Sequence, residues 1–205
     1  MSMPMTITYT HGDNLYVNTT NRCDFACTFC LRHNGNNGSI YTDNLWLERE
    51  PTKEEILADI QSRDLNQYAQ LVFCGFGEPS YRIDDIGWVI DQLKAQGCTS
   101  FIRMDTNGTG CQIHNRDICP DFANRFDMVS ISLNAETAEQ YDAIVCSDFT
   151  GSYEAMLAFA KEIQKYVPHV LMTVVDVIGE EAIEKCRAVC DSVGADFRVR
   201  AYIAE

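Results

Sequence analysis

Three cysteines close together in the chain are the residues whose type and spacing point most directly to chemistry. Cys23, Cys27 and Cys30 form a Cys-x3-Cys-x2-Cys run, and the next cysteine is Cys74. Structural zinc sites use four ligands, and ferredoxin-type runs supply a fourth thiolate. Three thiolates on one loop therefore predict an iron–sulfur cluster with one iron left open for chemistry. The competing interpretation is three buried cysteines, or half of a zinc site completed from elsewhere in the chain.

The composition limits the class of protein in which such a site lies. The chain has 205 residues, 46% of them hydrophobic, which suits one globular domain over residues 1–205. No stretch approaches the length of apolar sequence that crosses a bilayer, so we expect no membrane partner. Sixteen Lys and Arg stand against 30 Asp and Glu, and the resulting net charge of −14 disfavours nucleic acid as a partner.

The first residues, MSMPMTITYTHGDN, lack both the basic start and the apolar stretch of a signal peptide. We therefore expect a cytoplasmic protein. In a reducing compartment cysteines bind metals or are buried more often than they form disulfides.

Short apolar runs alternate with helical patterns and indicate the elements that must position the cysteines. Helices are predicted by capping boxes beginning at Thr52 and Thr137, and by apolar stripes along 86–93, 156–163 and 183–193. Six runs that suit buried strands lie at 14–18, 70–74, 100–105, 128–133, 170–177 and 197–202.

Strand followed by helix, repeated along the chain, predicts an α/β fold with a mostly parallel sheet and right-handed crossovers. A complete eight-unit barrel takes about 250 residues, or roughly 31 per unit. Six units in this chain would take about 34 each, which fits a partial (βα)6 barrel left open along one side. A doubly wound open sheet is the competing arrangement.

Polar residues and glycines follow the predicted strands, at the edge where ligands bind in α/β folds. The three-cysteine loop itself follows the first strand. The other residues at this edge are Gly75, Gly77 and Glu78 after the second strand, Asn107 after the third, and Ser132 and Asn134 around the end of the fourth.

Taken together, these features resemble the radical S-adenosylmethionine (radical SAM) superfamily over nearly the whole chain. The cysteine run, with Phe29 before its last cysteine, is similar to that family's cluster loop. Residues 77–79, Gly-Glu-Pro, resemble the end of its Gly-Gly-Glu-Pro motif, with Phe76 in place of the first glycine. Residues 106–108, Thr-Asn-Gly, resemble a common ending of its third strand.

The resemblance implies an open, TIM-like barrel with two cofactors. The three cysteines would hold a [4Fe–4S] cluster, and SAM would chelate the remaining iron through its amino and carboxylate groups. Its implied SAM contacts are Glu78 and the backbone of Gly75 to Gly77 at the methionine ammonium, Phe29 against the adenine, Ser132 or Asn134 at the ribose or carboxylate, and Asn107 in the third-strand turn.

The same resemblance implies an enzyme. An external electron donor such as flavodoxin or ferredoxin would reduce the cluster, and SAM would be cleaved to a 5′-deoxyadenosyl radical that abstracts hydrogen from an unknown small-molecule or protein substrate. The layout is similar to the small radical SAM proteins found beside TatD-type nucleases. The minimal core also resembles glycyl-radical activases and deazapurine-forming enzymes. A non-catalytic iron–sulfur or zinc protein, serving as an electron carrier or scaffold, is the alternative from another class.

Cysteines outside the run have two further interpretations. Cys111 and Cys119, in a loop with His114, could hold a second metal, although their separation matches no compact ligand motif. The three cysteines in apolar surroundings are predicted to be core residues: Cys74, Cys186 and Cys190.

Two other features could line a binding site. Residues 31–51, with His33 and Trp46, form either a lid or substrate surface, or a mobile surface loop. Arg198 and Arg200 share a strand face with Tyr202, where they would meet an anionic substrate, the SAM carboxylate or a structural acid.

Overall fold

A computed structural model describes residues 5–32 and 44–202. Its strands are β1 (Thr8–His11), β2 (Asn14–Val17), β3 (Gln70–Phe73), β4 (Phe101–Thr106), β5 (Met128–Ser132), β6 (His169–Val175) and β7 (Asp196–Arg200). Its α-helices are α1 (Lys53–Gln61), α2 (Ile83–Ala95), α3 (Gly110–His114), α4 (Ala138–Val145), α5 (Ser152–Ile163) and α6 (Glu180–Val193). None of the helices in these two segments has the length and apolar character needed to cross a bilayer.

All seven strands form one sheet in the order in which they occur along the chain. Strands β2 to β7 are parallel, and β1 pairs with β2 in the antiparallel direction. A doubly wound sheet reverses its strand order at a switch point, and this sheet has no reversal. The α/β prediction of a partial barrel with a mostly parallel sheet is therefore confirmed, and the doubly wound alternative is wrong.

Alternate residues of the strands have different surroundings. On one face Phe73, Met104 and Ile131 are fully buried in the main hydrophobic core, to which the helices also contribute. The other face is polar and includes Arg103 and Asp105, which line a cavity. Because side chains alternate along a strand, the helices cover the apolar face while the polar face lines the inside of the open barrel.

The predicted helix starts have the expected hydrogen bonds. The Thr52 side chain accepts from the Glu55 N–H at 3.2 Å, and the Glu55 carboxylate accepts from the Thr52 N–H at 2.8 Å, which completes a capping box at α1. Thr137 accepts from the Gln140 N–H at 3.3 Å at the start of α4. Each cap satisfies N–H groups that have no partner within the helix.

Strand β1 is an element that the sequence prediction missed. It forms a hairpin with β2 through a two-residue turn, in which Gly12 has φ +55°. Glycine is favoured at the first position of such a turn because this φ is unfavourable for other residues. The connection between β4 and β5 also differs from the other crossovers, since its α-helix, α3, has only five residues.

Candidate functional site

The three-cysteine loop leaves the end of β2 and packs against the end of α4. The backbone N–H of Ala26 donates to Val145 O, and that of Thr28 to Ile144 O, both at 3.0 Å. Within the loop, the Cys30 N–H donates to Cys27 O at 3.0 Å. These backbone bonds fix the path of the loop whatever its side chains bind.

The spacing of the three thiols distinguishes a cluster from a single metal ion. Among the described residues, the Sγ atoms of the three cysteines are not as close together as the ligand atoms of Cys111, Asp117 and Cys119, which all lie within 4.8 Å of one another. Ligands of one zinc ion must be nearly in contact, whereas cluster thiolates bind different irons and stand further apart. The loop therefore fits an iron–sulfur cluster better than a single zinc ion.

Burial raises the pKa of the Cys23 and Cys27 thiols to about 12, and it also raises the pKa of Cys30. Hydrogen bonds from the backbone of Phe25 to Cys23, and of Arg32 to Cys30, act in the opposite direction because they favour the thiolates. Such N–H···S bonds are one of the means by which a protein sets a cluster's reduction potential.

The glycines after β3 allow close packing against the cysteine loop. A Cβ atom on Gly75 would overlap the side chain of Asn18. One on Gly77 would overlap the backbone of Thr20 and would lie 2.6 Å from Arg22 O. The close backbone approach expected at these glycines is thus made by the loop itself, and Gly75 also lines the cavity.

We expect Gly77→Ala to loosen the cysteine loop, because the new methyl group would displace backbone atoms of Thr20 and Arg22. Loss of such supporting contacts lowers metal affinity by about 10–100-fold. Iron per protein chain after reconstitution at limiting iron measures the effect. The matched control is Gly87→Ala on α2, whose added methyl group meets only the flexible end of Arg125, at 2.9 Å. Equal iron content in the two variants would contradict this role for Gly77.

Glu78 is buried, with 4% of its surface exposed, and connects the ends of β3 and β4. Its Oε1 accepts from the Ser80 N–H at 2.9 Å and from the Thr106 hydroxyl at 2.7 Å. Its Oε2 accepts from the Asn107 N–H at 2.7 Å. Burial raises the pKa of Glu78 to about 7 in spite of these bonds. The side chain therefore positions the two turns, and its contact with the SAM ammonium stays a prediction.

Asn107 connects the same turn to the cysteine loop. Its amide donates to Asp24 Oδ1 at 2.9 Å, and its side-chain oxygen accepts from the Thr109 N–H at 3.0 Å. The Thr109 hydroxyl donates to Asp24 Oδ2 at 2.8 Å. Asp24 lies between the first two cysteines and is buried, which raises its pKa. Asn107 thus helps to hold the loop, and its contact with SAM stays a prediction.

Phe29 and Ser132 line cavities, and Asn134 is the chain neighbour of a residue that does. Phe29 borders both a cavity of about 360 Å³ inside the barrel and one of about 580 Å³ beside α4. Ser132 lines the first, while Ala135, one residue beyond Asn134, lines the second. Asn134 is buried, and its side-chain oxygen has no hydrogen-bond partner within the described residues. A buried acceptor without a partner is the feature expected where a ligand donates a hydrogen bond.

The comparison with protein families gives a match over most of the chain. The radical SAM superfamily matches residues 17–189, a region that contains the cysteine loop and the strand ends described above. The chain belongs to the radical SAM superfamily. The cofactors of this radical SAM domain are therefore a [4Fe–4S] cluster and SAM, and the loop geometry and the orphaned Asn134 oxygen fit them.

Solved structures share the fold at low sequence identity. SuiB of Streptococcus suis, bound to the precursor peptide SuiA, has a TM-score of 0.67 at 14% identity, covering 96% of this chain and 40% of its own. anSMEcpe with bound AdoMet has a TM-score of 0.65 at 15% identity, and the match covers 92% of this chain and 51% of anSMEcpe. Methylornithine synthase, PylB, has a TM-score of 0.62 at 11% identity, and the match covers 93% of this chain and 53% of PylB. This chain thus spans about half or less of each. No curated protein matches the sequence significantly.

Phe76, which replaces a glycine of the family motif, packs beside the radical SAM site. Its ring lies 5.2 Å from that of Trp46, and the Arg32 guanidinium lies 4.9 Å from Trp46 on another side. Leu45 and Leu47 are buried, and Leu47 exchanges hydrogen bonds with the Asn21 side chain. Residues 44–47 therefore pack on the cysteine loop. His33 lies outside the described residues, so the lid hypothesis stays a prediction.

Five of the seven remaining cysteines, all but Cys98 and Cys146, divide into three environments. Cys186 and Cys190 are buried core residues, as predicted. The prediction that Cys74 is a core residue is wrong, because Cys74 lies on the inner face of the barrel and lines its cavity. Outside the barrel, Cys111 and Cys119 come together with Asp117, and their ligand atoms lie within 4.8 Å of one another. Sequence spacing did not reveal the carboxylate; the second-metal hypothesis stays a prediction.

Proposed function

We propose that this protein is a radical SAM enzyme acting on a substrate held inside the open barrel. When bound, the cluster and SAM supply reductive cleavage of SAM to a 5′-deoxyadenosyl radical, which removes hydrogen from a substrate. Cys23, Cys27 and Cys30 would hold the cluster. The protein's own part is to orient SAM and the substrate and to exclude water.

One observation carries this proposal. The loop with three thiols lies at the end of β2, and Cys30 lines the same cavity as Gly75 and Ser132 from other strand ends. Three protein ligands leave one iron of a [4Fe–4S] cluster available, and the cavity gives a ligand access to it. A closed four-ligand centre, as the electron-carrier or zinc alternative requires, would need a further ligand from the chain.

The two cavities divide the proposed SAM site into a polar end and an apolar end. The methionine would lie near Gly75 and Gly77, close to the cysteine loop. The adenine would lie against Phe29 in the second cavity, whose wall includes Ile144 and Ile178. Because Phe29 borders both cavities, SAM would pass beside this ring, and Asn134 would accept a hydrogen bond from the ribose.

The experiment is anaerobic reconstitution with iron and sulfide, reduction with dithionite, and measurement of 5′-deoxyadenosine formed from SAM. We expect production of 5′-deoxyadenosine that requires reductant and scales with cluster content. A fully loaded, reduced protein that leaves SAM intact would refute the proposed function, because an electron carrier or zinc scaffold has no reason to cleave it.

Several finer statements stay predictions. These are a cytoplasmic location, a flavodoxin or ferredoxin as electron donor, one domain over residues 1–205, and membership of the TatD-associated group. The wall of the barrel cavity supports one further step towards the substrate.

A further inference from the structure

The inner face of β7, at the solvent-exposed edge of the sheet, carries two positive charges that no described residue neutralises. Arg198 and Arg200 line the barrel cavity, while their neighbour Phe197 packs on the other face of the sheet. Neither arginine forms a hydrogen bond or ion pair with any residue in the segments 5–32 and 44–202. The charge of Arg200 lowers the pKa of Cys74 across the cavity, although burial raises that pKa overall.

The other two arginines of this cavity have partners. Arg103 Nε lies 2.8 Å from Asp105 Oδ1, and its guanidinium donates to Gln70 at 2.9 Å. Arg32 donates to Asn21 O at 3.0 Å and stacks on Trp46. The cavity wall thus carries four arginines and one aspartate, an excess of three positive side chains, in a chain whose net charge is −14. A local charge of the opposite sign to the whole protein concentrates anions at this site.

Aromatic rings from the β1–β2 hairpin line the same cavity. Tyr9 and Tyr16 are stacked, with ring centroids 5.3 Å apart, and His11 contacts the edge of Tyr16 at 5.9 Å. The Tyr9 hydroxyl donates to Cys74 O at 3.1 Å, which fixes this ring at the cavity. Tyr9 is buried against Leu45 and Phe76 and supports Tyr16, whose partly exposed ring suits a flat ligand.

We propose that the substrate is a small, flat molecule with a carboxylate or phosphate group, bound by Arg198 and Arg200 and packed against Tyr16. This inference rests on the proposed function. The methionine end of SAM would occupy the part of the cavity near Cys30, so the remainder of its 360 Å³ has room only for a small molecule. The SAM carboxylate would be bound to iron, which leaves both guanidinium groups for the substrate's oxyanion.

The test is anaerobic calorimetric titration of the reconstituted protein, saturated with SAM, with phenylphosphate, benzoate and benzylamine. We expect the two anions to bind and the cation not to bind. The ratio of the dissociation constants of phenylphosphate and benzoate shows whether the site prefers a phosphate or a carboxylate. Arg198→Gln and Arg200→Gln should each weaken anion binding about tenfold, which corresponds to about 1.4 kcal/mol, because each removes a charged hydrogen-bond donor. The SAM dissociation constant should stay unchanged.

The matched control is Arg187→Gln, which removes the same charge from α6, where the guanidinium lies 4.7 Å from the Phe197 ring. Anion binding that is absent in the unmodified protein, or unchanged by the two cavity substitutions, would overturn the proposal. So would weaker SAM binding in those variants, which would assign the arginines to the SAM carboxylate. The titrations are repeated without SAM, so that anion binding is measured independently of the proposed function. If the protein does not cleave SAM, the proposed function fails, but anion binding that depends on Arg198 and Arg200 would still be observed.

Discussion

Replacing any one of Cys23, Cys27 or Cys30 with alanine is expected to reduce 5′-deoxyadenosine formation to the level of protein without iron. Each thiolate would bind a different iron of the cluster. The Cys146 thiol lies close enough to Cys27 to add to the effect of burial on its pKa, so the Cys27 variant is also measured together with Cys146→Ala, which prevents replacement of the lost ligand. Iron and sulfide content should fall in parallel with the visible absorption of the cluster. The measurements are iron analysis, absorption spectra and product formation on the same anaerobic samples.

Cys98→Ala is the matched control for this prediction. Cys98 is partly exposed at the end of the α2–β4 connection, away from the barrel cavity, and its loss should leave cluster content and product formation unchanged. Full activity in any of the three loop variants would mean that the run is not the ligand set. Loss of activity with a complete cluster would instead assign that cysteine to another role.

Glu78→Ala is expected to produce the largest loss of stability. It removes the acceptor of the Ser80 and Asn107 N–H groups and of the Thr106 hydroxyl. Each unsatisfied buried group costs about 1–3 kcal/mol, so the loss of an acceptor for three donors should lower the free energy of unfolding by roughly 3–9 kcal/mol. Glu78→Gln should lose less, because its amide oxygen can keep two of these bonds while its NH₂ faces the Asn107 N–H. Urea unfolding of the protein without cofactors measures both.

The pH dependence of this effect has a definite sign. The pKa of Glu78 is raised by burial to about 7 from an ordinary value of 4.5. A carboxyl group with a raised pKa stabilises the fold most below its unfolded pKa, and this contribution is lost as the pH rises through the folded value. Stability of the wild type relative to Glu78→Ala should therefore decline between about pH 4.5 and pH 7. Exposed Glu139→Ala is the control, and a flat difference for Glu78 would contradict its burial.

The sequence predicted the parallel strands closely because their apolar runs are continuous. The strand predicted at 70–74 is observed at Gln70–Phe73, and the one at 128–133 at Met128–Ser132. Strand β1 was missed because Thr8–His11 is only four residues long and has no continuous apolar run. The glycine in the turn before β2 is the one feature of the sequence that indicates a hairpin here. A short hairpin strand with few apolar residues can be predicted only together with the strand it pairs with. A buried parallel strand can be predicted from its own continuous apolar run.

The roles of individual site residues were harder to predict than the fold. Alternation places Arg198 and Arg200 on one face but does not say that this face lines the barrel. The motif around Glu78 and Asn107 predicts SAM contacts, which stay predictions, but it did not predict the hydrogen bonds of their side chains to Ser80, Thr106 and Asp24. Such contacts join residues far apart in the chain, so spacing along the sequence cannot reveal them.

We propose that SAM binds the iron that Cys23, Cys27 and Cys30 leave without a protein ligand. Electron–nuclear double resonance on the reduced cluster, with SAM carrying ¹⁵N in its amino group, tests whether this nitrogen binds the iron. We expect a hyperfine coupling from this nitrogen, which appears with SAM and disappears in Cys30→Ala together with the cluster signal. A cluster of full occupancy that shows no coupling to bound, labelled SAM would contradict the claim.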